Sequence, residues 1–144
     1  MGEREPSVSL HFIPPMLSLP SDLHLLPVAR AFVESVCMAG GVGRELTDAV
    51  VLAADEAVNN AIRHAHANDI ALTVQLSCGV TADCIEVHVH DEGEPFDIAA
   101  MPVLDPSELR VGGRGLFLMR TMMDEIHCRK RTPRGNTVRL VKRR

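Results

Sequence analysis

The stretch ADEAVNNAIRHAH, residues 54–66, decides the reading of the chain. Together with the residues before it, Leu46, Ala49, Val50, Ala53, Ala57, Val58, Ala61 and Ile62 recur at the spacing of one helix face. Alanine is the strongest helix former, so a helix is expected from about Arg44 to His66. Its polar residues are ordered too. Glu56, Asn60 and His64 stand four apart, on one line of the helix, and Asp55 and Asn59 repeat that spacing one residue back. A carboxylate and an amide stacked this way can position a hydroxyl or a water and offer oxygens to a hard cation such as Mg²⁺. The same pattern also describes the solvated face of an amphipathic helix, and taken alone that is the simpler reading.

Working outward, residues 8–13 (VSLHFI) alternate weakly up to Pro14-Pro15 and are expected as a short strand. Ser21 or Asp22 is placed to cap a helix reaching about Met38, with Leu25, Val28, Ala29, Phe32, Val33 and Val36 as its apolar stripe. Pro27 falls in its first turns, where a missing N–H is tolerated. Gly40, Gly41 and Gly43 then break the chain. Downstream, 69–78 (DIALTVQLSC) and 84–90 (CIEVHVH) alternate at period two across a short connection, as in an antiparallel hairpin. Residues 92–113 are rich in proline and glycine and read as a long functional loop of the lid kind. Residues 115–126 (GLFLMRTMMDEI) return to helix, and 126–131 and 136–142 are strands turned around Pro133-Arg134-Gly135. The order β-α-α-β-β-loop-α-β-β argues for an α+β sandwich and against a doubly wound parallel sheet.

Composition narrows the function classes. The chain has 144 residues, 15 Lys+Arg against 19 Asp+Glu, a net charge of −4, and is 46% hydrophobic. That excludes collagen-like, coiled-coil and largely disordered proteins, and the length suits one domain. Without Trp or Tyr, the core is built from Leu, Val, Ile, Ala and Met. No apolar run approaches the roughly 20 residues that cross a bilayer, and the charged N-terminus MGEREPSVSL lacks the apolar segment of a secretory signal. Cys37, Cys78, Cys84 and Cys128 lie far apart with no C-x-x-C pair, so a reduced, cytoplasmic protein is expected. Neither His64 with His66 nor His88 with His90 has further ligands at zinc spacing. Half of residues 129–144 are Lys or Arg, but their alternation with Val138, Leu140 and Val141 suits the solvent face of a strand. The acidic balance speaks against a nucleic-acid partner.

Three more segments carry chemistry. In DEGEPFD (91–97), Asp91 continues the apolar side of Val87 and Val89, opposite Glu86, His88 and His90. A carboxylate there needs a hydrogen-bond donor, and the exocyclic amino group of adenine suits it. Gly93 allows a sharp turn and the close approach of a flat ligand, although a plain Asp-Gly turn reads the same way. Gly112-Gly113-Arg114-Gly115-Leu116 opens a helix, which frees backbone N–H groups for phosphate, with Arg114 as a charged donor. It is neither a Walker A motif nor a dinucleotide fingerprint. Gly135-Asn136-Thr137 by itself is a hairpin turn with a hydroxyl.

In combination, Glu-x-x-x-Asn on a helix, Asp-x-Gly-x-Pro-Phe-Asp after a strand, Gly-x-Gly-Leu after a lid-like loop and Gly-x-Thr near the C-terminus occur in that order. This closely resembles the N, G1, G2 and G3 boxes of the GHKL ATP-binding superfamily, and most of all its bacterial anti-sigma-factor serine kinases. The segments ADEAVNNAIRHAH, DEGEPFD, GGRGLFLMRTMMDE and GNTVRLVK carry the resemblance, which covers about residues 20–143. It implies one histidine-kinase-like ATPase domain over residues 1–144 with a lid at about 92–113. The implied fold is a two-layer sandwich of the Bergerat type, a mixed, mostly antiparallel sheet with helices on one face, which would leave Glu86, His88 and His90 facing solvent.

The resemblance also implies roles. Glu56 would be the general base for an attacking serine hydroxyl, and Asn60 would ligate the Mg²⁺ that bridges the ATP phosphates. Asp91 would accept from the adenine amino group, with Gly93 giving the base room, and Thr137 would support Asp91 directly or through a water. Gly113, Arg114 and Gly115 would close over the phosphates, and Leu116 would start the helix behind them. Asp55 and Asn59 share the spacing, so the choice of carboxylate and amide rests on register. The implied function is that of an ATP-dependent serine kinase and anti-sigma factor, which phosphorylates a serine on an anti-sigma-factor antagonist and sequesters a sigma factor. A cytoplasmic homodimer with no nucleic-acid or membrane partner goes with it. The alternative is a non-catalytic ATP-binding switch acting on a phosphatase or another partner. Glu56 favours the kinase, since a pure binder has no need of a base there.

Overall fold

Two prolines, Pro14 and Pro15, lead into the first strand instead of closing one. Residues before proline are pushed to extended backbone, and the Pro15 carbonyl accepts from the Cys78 N–H at 3.1 Å. In the computed structural model, which describes residues 13–93, 113–131 and 134–144 (113–116 by backbone only), strand β1 is Met16–Pro20. The strand expected at 8–13 is thereby corrected at Ile13, and its residues 8–12 lie outside the described residues. Its place at the sheet edge tolerates Pro20.

Asp22 caps a single 3₁₀ turn, Leu23–Leu25, by accepting from the His24 N–H at 2.9 Å. Helix α1 follows, Leu26–Ala39, with Pro27 in its first turn as expected. Its core face is Ala29, Val33 and Cys37. Val28, placed on the apolar stripe by the sequence reading, is 44% exposed. Helix α2 is Arg44–Asn60 and buries Val50, Ala53, Ala54, Ala57 and Val58. It stops being regular six residues before the expected end, where Ala61–Ala65 form a π-turn closed by the His66 N–H on the Ala61 carbonyl.

Strands β2 (Thr73–Val80) and β3 (Cys84–His90) form the hairpin. Helix α3 is Gly113–Met122, and β4 (Glu125–Lys130) and β5 (Asn136–Arg143) complete the chain. The five strands lie in the order β1-β2-β3-β5-β4, and every pairing is antiparallel. The mostly antiparallel sheet of the sequence reading thus has no parallel pair among the described residues.

Register aligns the apolar rows. Leu76 faces Val89, which faces Val138, and Cys78 faces Val87, which faces Leu140. All six are buried, and α1 packs on β2 while α2 packs on β3, β5, α1 and α3. The core is therefore aliphatic, one layer of helices on one layer of sheet. The cysteines are free thiols, with Cys37 of α1 and Cys78 of β2 in contact inside it. No helix among the described residues is long and apolar enough to cross a membrane.

The opposite sheet face differs from expectation in one respect. Glu86, His88 and His90 do point away from Val87 and Val89, but Glu86 is only 5% exposed. Arg139 donates to its carboxylate at 2.6 Å and His88 lies 2.7 Å from the same oxygen. Burial would raise this carboxyl, yet the hydrogen bonds of Arg139 and His88 outweigh it and hold the group below the ordinary carboxylate range.

Candidate active site

The site is built where β3 ends. Asp91 is 1% exposed, and its backbone N–H donates to the Asn136 carbonyl at 2.9 Å. Its Oδ1 accepts three hydrogen bonds of 3.0 Å, from the Gly93 N–H, the Asn136 N–H and the Asn136 side-chain amide. Among the described residues, Oδ2 receives only the longer 3.3 Å contact from that amide. One carboxylate oxygen is saturated, and the other keeps capacity for a ligand donor.

Asn136, which is 0% exposed, is the residue that the sequence reading missed. Thr137, which the resemblance made the support of Asp91, instead places its hydroxyl 2.7 Å from His90 Nδ1. The reason is strand parity. Val138 and Leu140 point at the helices, so Asn136 does too, while Thr137 points with His90 to the outer face. Asp91 continues the Val87–Val89 side, and only Asn136 shares it. Applying the alternation argument to β5 as well as β3 would have found this residue.

Two glycines close the turn for steric reasons. A Cβ on Gly93 would fall on the Ala65 carbonyl, so its lack of a side chain accommodates the end of the α2 π-turn. Gly135 adopts φ +106, a conformation that favours glycine, and a Cβ there would strike the Asp91 carbonyl. Arg131 donates to that same carbonyl at 3.0 Å. The extra width of the π-turn thus carries the end of α2 against the Asp91–Gly93 segment. π-Turns inside helices are frequent at functional sites.

On α2 the two carboxylates have different surroundings. Arg30 of α1 donates to Asp55 at 2.9 Å, which ties Asp55 to the neighbouring helix. Glu56 is left half-buried on the other line. Burial first, and then the Asp55 carboxylate, push its carboxyl above the ordinary value, against the pull of Arg63 and a hydrogen bond with Asn59. Asn60 is half-buried at the end of the regular helix. Asn59 Oδ1 is buried without a hydrogen-bond partner among the described residues. His64, on the same line by sequence spacing, sits in the π-turn and is exposed.

These oxygens suit a hard cation in part. Among the described residues no group of three His, Cys, Asp or Glu could hold a metal. A Mg²⁺ here would take most of its ligands from substrate phosphates and water, which is how that ion is ordinarily held.

Gly113, Arg114, Gly115 and Leu116 form the first turn of α3, two residues earlier than the expected helix start. Their N–H groups belong to the end of the helix that lacks internal acceptors. The lid expected at about 92–113 falls, apart from its ends, on residues 94–112, outside the described residues. A groove between Leu46, Ala49 and Leu52 of α2, Met122 of α3 and Lys142 of β5 contains none of the site residues.

Comparison with known proteins agrees with this geometry. The family model described as "Histidine kinase-like ATPase domain" matches residues 19–142. The serine-protein kinase RsbW of Bacillus subtilis (strain 168) is 30% identical over 134 residues, 88% of this chain and 82% of that protein. Two solved structures share the fold. The SiaB–SiaC complex from Pseudomonas aeruginosa gives a TM-score of 0.64 at 15% identity, covering 88% of each chain. The RsbU and RsbW domains of Rv1364c from Mycobacterium tuberculosis give 0.63 at 17% identity, covering 92% of this chain and 32% of that longer one. A buried carboxylate at the end of β3, a raised carboxylate on α2 and a family match across nearly the whole length lead to one conclusion: the chain belongs to the histidine kinase-like ATPase domain family, beside the serine-protein kinases RsbW.

Proposed function

We propose that the chain is an ATP-dependent protein-serine kinase and anti-sigma factor, which phosphorylates a serine on an anti-sigma-factor antagonist and sequesters a sigma factor. Asp91 receives the adenine amino group on Oδ2, and Gly93 holds the turn beside it. Glu56 accepts the proton of the attacking hydroxyl. Asn60 ligates the Mg²⁺ that arrives with the phosphates. Gly113, Arg114 and Gly115 close over the phosphates, with Leu116 starting the helix behind them. Phosphoryl transfer asks for positioning and charge neutralisation more than covalent chemistry, and this is a positioning site. Residues 1–144 work as one cytoplasmic ATPase domain, with 92–113 as lid, and two copies pair.

The observation that carries the reading is the division of labour between adjacent carboxylates. Asp55 is held in an ion pair with Arg30, whereas Glu56 has its proton affinity raised. A raised carboxylate is a better base at neutral pH, and a protein that only binds nucleotide has no use for one.

The test uses two variants. ATP binding by calorimetry, with and without Mg²⁺, is expected to collapse in Asp91→Asn, which puts an N–H donor where an acceptor is needed. Glu56→Gln should keep the wild-type affinity within about twofold while transfer of labelled phosphate to a purified antagonist falls about 10²- to 10⁴-fold. Equal phosphotransfer by wild type and Glu56→Gln would sink the assignment of the base.

A further inference from the structure

We propose that His66 is a pH-dependent positioning residue of the nucleotide site: its neutral imidazole holds the Glu92 N–H and so fixes the Asp91–Gly93 turn on the end of α2. This rests on the nucleotide reading above and adds a residue to which the four motifs give no role.

His66 is 3% exposed and joins three parts of the chain. The Glu92 N–H donates to its Nε2 at 2.8 Å, and Nδ1 lies 2.9 Å from Ser21 Oγ. A backbone amide can only donate, so Nε2 carries no proton. The neutral ring therefore has its proton on Nδ1, which donates to Ser21. Glu92 follows Asp91 directly, and the next N–H, that of Gly93, donates to Asp91 Oδ1. Holding the Asp91–Glu92 peptide thus holds the carboxylate that receives adenine.

Protonation reverses this contact. An imidazolium has an N–H at both nitrogens, so the ring would present a donor to a donor. The acidic groups around it do not compensate. Asp91 Oδ1 is engaged by Asn136 and Gly93, the carboxylate of Glu92 accepts from the Thr73 N–H at 2.8 Å, and that of Asp69 accepts from the Ala71 N–H at 3.0 Å. From the β4–β5 turn Arg134 opposes a second positive charge. Burial, the largest influence, pushes His66 below the ordinary histidine value, against the pull of Asp91, Glu92 and Asp69. The ring is neutral at pH 7, and the anchor is lost only in acid.

The sequence does not show this role, because Ser21 and the Glu92 N–H, the two partners of His66, lie far from it along the chain.

The experiment begins on the nucleotide-free wild-type protein, by NMR between pH 7.5 and 5. The Glu92 amide is expected to lose hydrogen-exchange protection and to shift with the same midpoint as the His66 ring, below about 6.5. ATP calorimetry follows at pH 7.5 and at one unit below the midpoint read for the His66 ring, on wild type and on His66→Gln, whose side-chain carbonyl can accept the same N–H without titrating. ATP has its own titrating phosphate, so the quantity read is the ratio between the two proteins. Wild type should weaken about tenfold relative to His66→Gln, the worth of one lost contact. A Glu92 amide that ignores the His66 titration would overturn the anchor. Equal acid weakening in both proteins would overturn the positioning role. Absence of ATP binding at pH 7.5 with the amide titration intact would remove the nucleotide reading, and the positioning role with it, while leaving the anchor established. The wild-type titration needs no variant, so a poorly folded His66→Gln does not stop the anchor from being judged.

Discussion

Asp91 asks its neighbours for three hydrogen bonds on one oxygen and leaves the other almost bare. Two of the three come from Asn136, so this amide, and not the hydroxyl after it, prepares the carboxylate. Asn136→Ala should weaken ATP binding at least about tenfold and cost about 1–3 kcal/mol of stability, because a buried carboxylate loses a donor. Thr137→Val should leave ATP affinity within about twofold, since its partner is His90 on the other face. Calorimetry and urea unfolding on the two variants check the contrast, and equal losses of affinity would return the support to Thr137. On α2 the matching pair is Asp55→Asn and Glu56→Gln. The first breaks a half-exposed ion pair with Arg30 worth at most about 1 kcal/mol and should keep phosphotransfer. The second is expected to lose it.

At the level of elements, the π-turn after Asn60 sets the placement of the whole site. Its Ala65 carbonyl meets Gly93 so closely that no side chain fits between them. Gly93→Ala should therefore cost about 2 kcal/mol or more and abolish measurable ATP binding, read by thermal unfolding and calorimetry. The contact also shows where the sequence stops being legible. The helical period of α2 was plain as far as Asn60, because alanines and valines mark its buried face. The π-turn was not, since one added residue per turn changes no composition and the apolar pattern runs on through Ala61 and Ile62. Alternation in β3 placed Asp91 on the core side correctly. The same logic was not carried across the pairing to β5, where His90 faces Thr137, and so Asn136 went unseen. By sequence Pro14-Pro15 reads as a stop, whereas proline ahead of an edge strand favours its extended start. Glu56 and Asp91 stand out in the sequence because the spacing that marks them is local. Their partners lie far along the chain and become visible only in the fold.

For the molecule as a whole, the outer sheet face carries a buried charge pair where a solvated surface was expected. The Glu86 carboxyl is held low by Arg139 and His88, so its stabilisation is complete above about pH 4.3, the ordinary glutamate value, and disappears as pH falls through the lowered folded value. Glu86→Gln should thus destabilise by about 1–3 kcal/mol at pH 7, a gap that narrows as pH falls through the lowered folded value, measured by urea unfolding from pH 7 into acid. A gap that persists in acid would mean the pair contributes by packing and not by charge.

Two bonds of the candidate site, Asp91 to Asn136 and His66 to Ser21, each span 45 residues of chain. Contacts of such separation form only after long loops have closed, late in folding. No fragment lacking either partner, such as an interrupted translation product, makes both bonds. Nucleotide occupancy becomes a report on the closure of the entire chain, and by mass action the bound nucleotide draws the population toward that closed form.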